Sequence, residues 1–163
     1  MKKAIIIVAL VAMVLIPVAA KGVEVKGIGV EVGNFSGISV QFAVDQKWTG
    51  IASGNMMISD SAFSFGGSIG ATYNYGTVKL GKGLNVTKFP HNAGLICGVY
   101  FTKGAIAIVP QALAEVAYDF SIDKLDFEAF LRVSGGASVA ITDSGVNVGF
   151  PVFGAALGLL YKF

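Results

Sequence analysis

The sequence predicts an all-β chain: an antiparallel up-and-down barrel of eight strands, with ten as the minor alternative. Three observations carry this. Apolar residues recur at every second position in several stretches, turn-forming clusters separate those stretches, and past residue 20 there is neither helical spacing nor a long unbroken apolar run.

The alternation is clearest in four places. Ile38, Val40, Phe42 and Val44 are apolar while Ser39, Gln41 and Asp45 are polar. Phe63, Phe65, Ile69, Ala71, Tyr73 and Tyr75 share one face, against Ser64, Gly66, Ser68, Gly70, Thr72 and Asn74. Ala112, Ala114, Val116, Tyr118 and Phe120 oppose Gln111, Glu115 and Asp119, with Leu113 and Ala117 the apolar members of that second face. Leu125, Phe127, Ala129, Leu131 and Val133 oppose Asp126, Glu128, Arg132 and Ser134, and Phe130 interrupts the polar set. A period of two gives a strand two unlike faces.

Turn chemistry joins these runs. Gly33 to Gly37 closes a first hairpin whose opening strand spans about Val23 to Val32, Asp45-Gln46-Lys47 leads into Trp48, and Ser59-Asp60-Ser61 precedes Phe63. Ser121 to Lys124 turns the third run into the fourth, and Thr102 to Gly104 is a short loop. Weaker strands are expected near Asn92 to Phe101 and near Val148 to Phe163, with a loop from Gly135 to Gly149 whose tip is Thr142 to Gly145. Gly76 to Asn92 reads as a long connection, because Val78 to Leu80 and Leu84 to Val86 are too short to be a further crossing pair.

Met1-Lys2-Lys3, the apolar run Ala4 to Ile16 and the small residues Val18-Ala19-Ala20 after Pro17 have the form of a cleavable signal peptide. The expected organisation is therefore residues 1–20 as leader and residues 21–163 as one barrel domain. Loss of Lys2 and Lys3 reduces the 12 basic residues to 10, equal to the 10 acidic ones, so the mature chain has no basic footprint for nucleic acid. Cys97 is the only cysteine, which excludes an intramolecular disulfide and a multi-cysteine metal site. Hydrophobic residues make up 54% and charged ones 13%, where a soluble domain carries about a quarter charged.

Closure removes the two edges of a strand meander. Its apolar face then points either inward, as in a secreted soluble barrel carrying an apolar ligand, or outward to lipid. Small residues on the opposite face and strands of about ten residues favour lipid, and hence a transmembrane barrel. The aromatics argue the same way. With the first strand rising from one side, Trp48, Tyr73, Tyr75, Tyr118, Phe120, Phe127, Tyr161 and Phe163 fall at one membrane interface as a girdle.

Gly158, Tyr161 and Phe163 resemble the C-terminal assembly signal of bacterial outer-membrane proteins, with Ala156 standing where that signal usually has a polar residue. Across the mature chain the pattern is similar to the small eight-stranded barrels of the OmpA-transmembrane and OmpX kind. The resemblance implies an outer-membrane location, contact with outer-membrane lipids and pairing of the last strand with the barrel assembly machinery. It carries no catalytic signature.

His91 is the only histidine, and its setting Pro90-His91-Asn92 reads as a loop on the periplasmic side, opposite to the outer leaflet where lipid-modifying barrels work. Lys79 to Gly83 lacks the strand-loop-helix setting of a phosphate cradle. No cofactor or metal is expected, and an envelope or surface-interaction role is favoured over a lipid-modifying enzyme. An eight-stranded barrel is filled by side chains. Its interior network is expected to hold Glu115, Asp119, Asp126, Glu128 and Arg132, with Glu115 opposite Phe130, Leu113 opposite Arg132 and Asp119 opposite Asp126. Arg132 is then held diagonally by Glu115 and by a carboxylate from a wall distant in sequence, while the opposed aspartates stay hydrated or share a proton.

Overall fold

The computed structural model describes residues 24–34, 36–59, 62–80 and 87–163, with 57–59, 62 and 63 described by backbone alone. The expected leader, the tip of the Ser59-Asp60-Ser61 turn, and Leu84 to Val86 lie outside the described residues.

Eight strands follow one another: β1 Glu24–Gly33, β2 Ser36–Ala43, β3 Trp48–Ser59, β4 Ala62–Leu80, β5 Thr87–Thr102, β6 Ala105–Ile122, β7 Leu125–Thr142 and β8 Gly145–Lys162. Each pairs antiparallel with the next, and β8 returns to β1, giving a closed up-and-down barrel. The closing seam runs from Gly27↔Lys162 to Gly33↔Ala156. Glycine is required there, since a methyl group on Gly29 or Gly33 would overlap the β8 backbone.

The walls are unequal in height. Strands β1 to β3 have 8 to 12 residues and β4 to β8 have 16 to 19. Two expected loops are in fact strand. Gly76 to Leu80 pairs with Thr87 to His91, so most of the expected Gly76 to Asn92 connection extends the β4–β5 hairpin. The expected Gly135 to Gly149 loop is likewise paired, up to Thr142↔Gly145, leaving Asp143 and Ser144 as the turn. Its alternation is masked by Gly135-Gly136 and by a slip between Gly136 and Ser138, opposite the stretch that holds Pro151, which has no N–H to give a ladder. β6 also starts earlier than expected, at Ala105 after a turn with Gly104 at φ 78°.

The β6–β7 register corrects the expected one by two residues. Ile122 pairs with Leu125, and the turn is Asp123-Lys124, both at positive φ (49° and 70°). A two-residue hairpin needs two left-handed residues, which Asp tolerates and β-branched Ile122 resists. Consequently Glu115 faces Arg132, Ala117 faces Phe130, Asp119 faces Glu128, Ser121 faces Asp126 and Leu113 faces Ser134. An even slip leaves both faces unchanged.

The interior mixes small polar residues with scattered apolar ones such as Ile51, Leu113 and Tyr100, and Ala117, Phe130 and Leu160 pack together in it as a plug. Ser39, Ser53, Ser64, Ser68 and Thr72 are buried, whereas Ile69 (46%), Leu95 (69%) and Leu157 (62%) stand exposed outside. Phe42, expected among the outward apolar residues, is buried because its ring folds over Gly50, its partner across the β2–β3 pair.

Candidate functional site

The barrel interior holds the most concentrated chemistry in the molecule. β7 carries Arg132 into it, and β6 carries Glu115 directly across the ladder. Glu115 Oε2 accepts from Arg132 Nε at 3.0 Å and from Nη2 at 2.7 Å. On the other side Arg132 Nη1 donates to Glu31 Oε2 at 3.1 Å, bringing in β1 from the far end of the sequence. The guanidinium also lies over the Phe130 ring, 4.6 Å from its centroid. All three charged residues are buried, so two carboxylates share one guanidinium away from water.

Amides extend the network around the barrel. Asn92 Nδ2 donates to Glu115 Oε1 at 3.0 Å, and Asn74 Nδ2 donates to Asn92 Oδ1 at 3.0 Å. Asn55, with its amide nitrogen turned to Glu31, donates to Oε1 at 3.1 Å. Six strands thus meet in one hydrogen-bonded layer, as a buried charge requires.

Towards the end where Asp45 and the Asp123-Lys124 turn lie, Lys162 Nζ stands 2.7 Å from Asp119 Oδ1 and 3.6 Å from Glu128 Oε2. Asp126 does not face Asp119; it accepts from Ser121 Oγ at the mouth. Hollows of about 260 Å³ and about 180 Å³ lie at the two ends of the charged layer; the first is lined by Lys26, Gln41 and Lys162, the second by Glu31, Tyr100 and Arg132. The layer can therefore close the lumen and exchange hydrogen bonds with solutes or water on either side.

Glu31, Asn92, Asn74 and Lys162 are network members not anticipated as such. Each has a signal in the alternation, Glu31 between the outward Val30 and Val32, and Lys162 between Tyr161 and Phe163. Asn74 and Asn92 follow Glu115 along the β4–β5–β6 ladder, whereas only closure of β8 on β1 brings Glu31 to Arg132.

On the outside, the aromatic residues form a continuous chain at the end shared by the Asp123-Lys124 turn and the β8 terminus. Centroids from Phe89 to Tyr118, Phe120, Phe127, Tyr161 and Phe163 are 5.2 to 5.8 Å apart. Trp48 meets Tyr73 at 5.3 Å, and Tyr75 meets His91 at 6.1 Å. His91 is thus a strand residue, paired with Gly76 and Val116, and not the loop residue expected. A second aromatic level, also unanticipated, lies towards the other end: Phe65 stacks on Phe101 at 5.5 Å, and Phe150 and Phe153 are exposed. Gly158 seats the Phe130 ring, which a methyl group there would overlap. Among the described residues, no three His, Cys, Asp or Glu side chains gather as a metal site.

Compared with known families, curated proteins and solved structures, the chain matches none.

Proposed function

We propose that this chain is a small integral outer-membrane barrel with a side-chain-filled interior, serving envelope structure or surface interaction without catalysis. The observation that carries the proposal is the inverted distribution of polarity. Serines, asparagines and an ion-paired arginine are inside, while Ile69, Leu95, Leu131 and Leu157 are outside. Water would penalise that arrangement and lipid favours it.

The aromatic levels set a matching height. Tyr73 to Phe65 spans eight residues and Phe89 to Phe101 twelve. At a rise of about 3.3 Å per residue and a tilt of about 40°, these are about 20 to 30 Å of height, against an apolar band of about 25 Å in outer-membrane barrels. In this reading residues 1–20 export the chain, outer-membrane lipids surround it, and the barrel assembly machinery handles β8 through Gly158, Tyr161 and Phe163 before the seam with β1 closes.

The test is fractionation of cells expressing the full chain, with gel migration before and after heating. Recovery in the outer membrane with a heat-dependent shift is expected. Recovery in the soluble periplasmic fraction would overturn the proposal.

A further inference from the structure

On the side of β6 to β8 the apolar outer wall is taller than the band just described. Ile106 lies twelve residues from Tyr118 along β6, Ile141 fourteen from Phe127 along β7, and Val146 fifteen from Tyr161 along β8. At about 2.5 Å of height per residue Ile106, the ladder partner of Phe101, stands at the upper aromatic level, whereas Ile141 and Val146 stand about 35 to 38 Å from the aromatic chain, beyond a band of about 25 Å. Val146 (65% exposed), Val148 (71%) and Ile141 therefore face water if the rest of the wall faces lipid, with Ile106 just below them at the boundary. Contiguous apolar surface in water marks an interaction site.

The surroundings of that surface indicate the partner. Between the β5–β6 and β7–β8 turns lies a hollow of about 580 Å³, with Phe101, Ile106 and Ile141 in its lining. Lys103 flanks it in the first turn and Asp143 in the second, on either side of the Ile106↔Ile141 pair. An anionic lipid headgroup would be attracted by Lys103 and repelled by Asp143. A second copy of the chain meets both demands. If its outer wall faces the first across a two-fold axis parallel to the barrel axis at Ile106↔Ile141, left and right exchange. Lys103 of each copy then opposes Asp143 of the other.

A stable interface takes about 800 Å² from each partner. The residues above the band do not supply this alone, but the same face continues down into the band through Ile108, Val139, Ala112 and Gly135, where small side chains permit close approach.

We infer that the barrel forms a two-fold dimer through the β6–β7 outer wall, centred on Ile106 and Ile141 and registered by reciprocal Lys103–Asp143 pairs. This rests on the membrane reading for the height of the wall. The test uses the full chain, refolded into phosphatidylcholine and phosphatidylglycerol vesicles and, separately, in detergent. In a Cys97→Ala background, Ile141→Cys should cross-link to itself under mild oxidation or with a short bismaleimide, and Val30→Cys, on the β1 wall, should not.

Lys103→Glu or Asp143→Lys should each weaken the detergent dimer at least tenfold by sedimentation, and the double exchange should restore it. Heat-dependent gel migration checks that every variant is folded. Inserted wild-type protein that sediments as a monomer, cross-linking of Val30→Cys equal to that of Ile141→Cys, or failure of the double exchange to restore association would overturn the dimer. Wild-type protein that never enters vesicles would instead overturn the membrane reading on which it rests.

Discussion

Glu115 stands directly across the β6–β7 ladder from Arg132 and takes two of its hydrogen bonds on one oxygen, Oε2. The other carboxylate oxygen is held by Asn92, and the remaining guanidinium contact goes to Glu31. Removing one partner of a buried ion pair leaves an uncompensated charge and costs about 3–5 kcal/mol. Arg132→Met should therefore be strongly destabilising in refolding titrations, and much less so when Glu115→Gln and Glu31→Gln accompany it. Each carboxylate should show its own coupling with Arg132. Strictly additive losses across the cycle would mean that the three residues do not act as one network.

That network was only partly legible in the sequence. Alternation alone puts Glu115, Glu128 and Arg132 on the inner face, because period two depends on parity, and an error of two residues preserves parity. The same insensitivity hides the register: the choice between Leu113 and Glu115 opposite Arg132 rests on whether Ile122 turns or pairs, a local backbone preference at Asp123 and Lys124. Glu31 was out of reach for another reason. Its contact with Arg132 joins positions 101 residues apart and exists only because the sheet closes. The upper halves of β7 and β8 read as a loop in the sequence because Gly135-Gly136 and Pro151 resemble breakers, whereas here glycine accommodates curvature and proline marks a bulge.

Gly158 has a packing role that is separable from any assembly role. It lies opposite Phe130 on β7, whose ring occupies the space of its missing side chain. Gly158→Ala should destabilise the purified barrel by about 1–3 kcal/mol, the usual range for overpacking. Phe130→Leu in the same chain should recover part of the loss. If Gly158→Ala refolds in detergent with unchanged stability yet accumulates poorly in cells, the glycine serves recognition and not packing.

Asp45 fixes the β2–β3 turn. Its Oδ1 accepts the backbone N–H groups of Lys47 and Trp48, each at 2.7 Å, and these bonds, that of Lys47 first, hold the carboxyl below its ordinary value. A depressed folded pKa adds stability that is fully present above the ordinary aspartate value of about 3.9 and is lost as pH falls through the lower folded value. Asp45→Ala should thus lower the urea midpoint at pH 7, and the gap from wild type should close towards pH 2. A gap independent of pH would assign the effect to turn geometry and not to the ionised carboxylate.

The membrane reading makes a depth-dependent prediction on two outward residues. Ile69 lies four residues along β4 from Tyr73, about 10 Å above the aromatic chain and near the middle of the apolar band. Val116 lies only two residues from Tyr118, about 5 Å from the same level, and pairs with His91. Both are partly exposed on the outer face, so in water a lysine at either site would be nearly neutral. In lipid the two sites part company: Lys costs about 2–4 kcal/mol near the midplane and falls to about 0–1 near an interface. Ile69→Lys should therefore destabilise the vesicle-inserted protein clearly more than Val116→Lys, because the shorter climb to the headgroups lets the second ammonium reach water. Measured in vesicles by urea unfolding, equal and small effects would indicate that this wall faces water. Equal and large effects would move Val116 deep into the band and displace the aromatic chain from the interface.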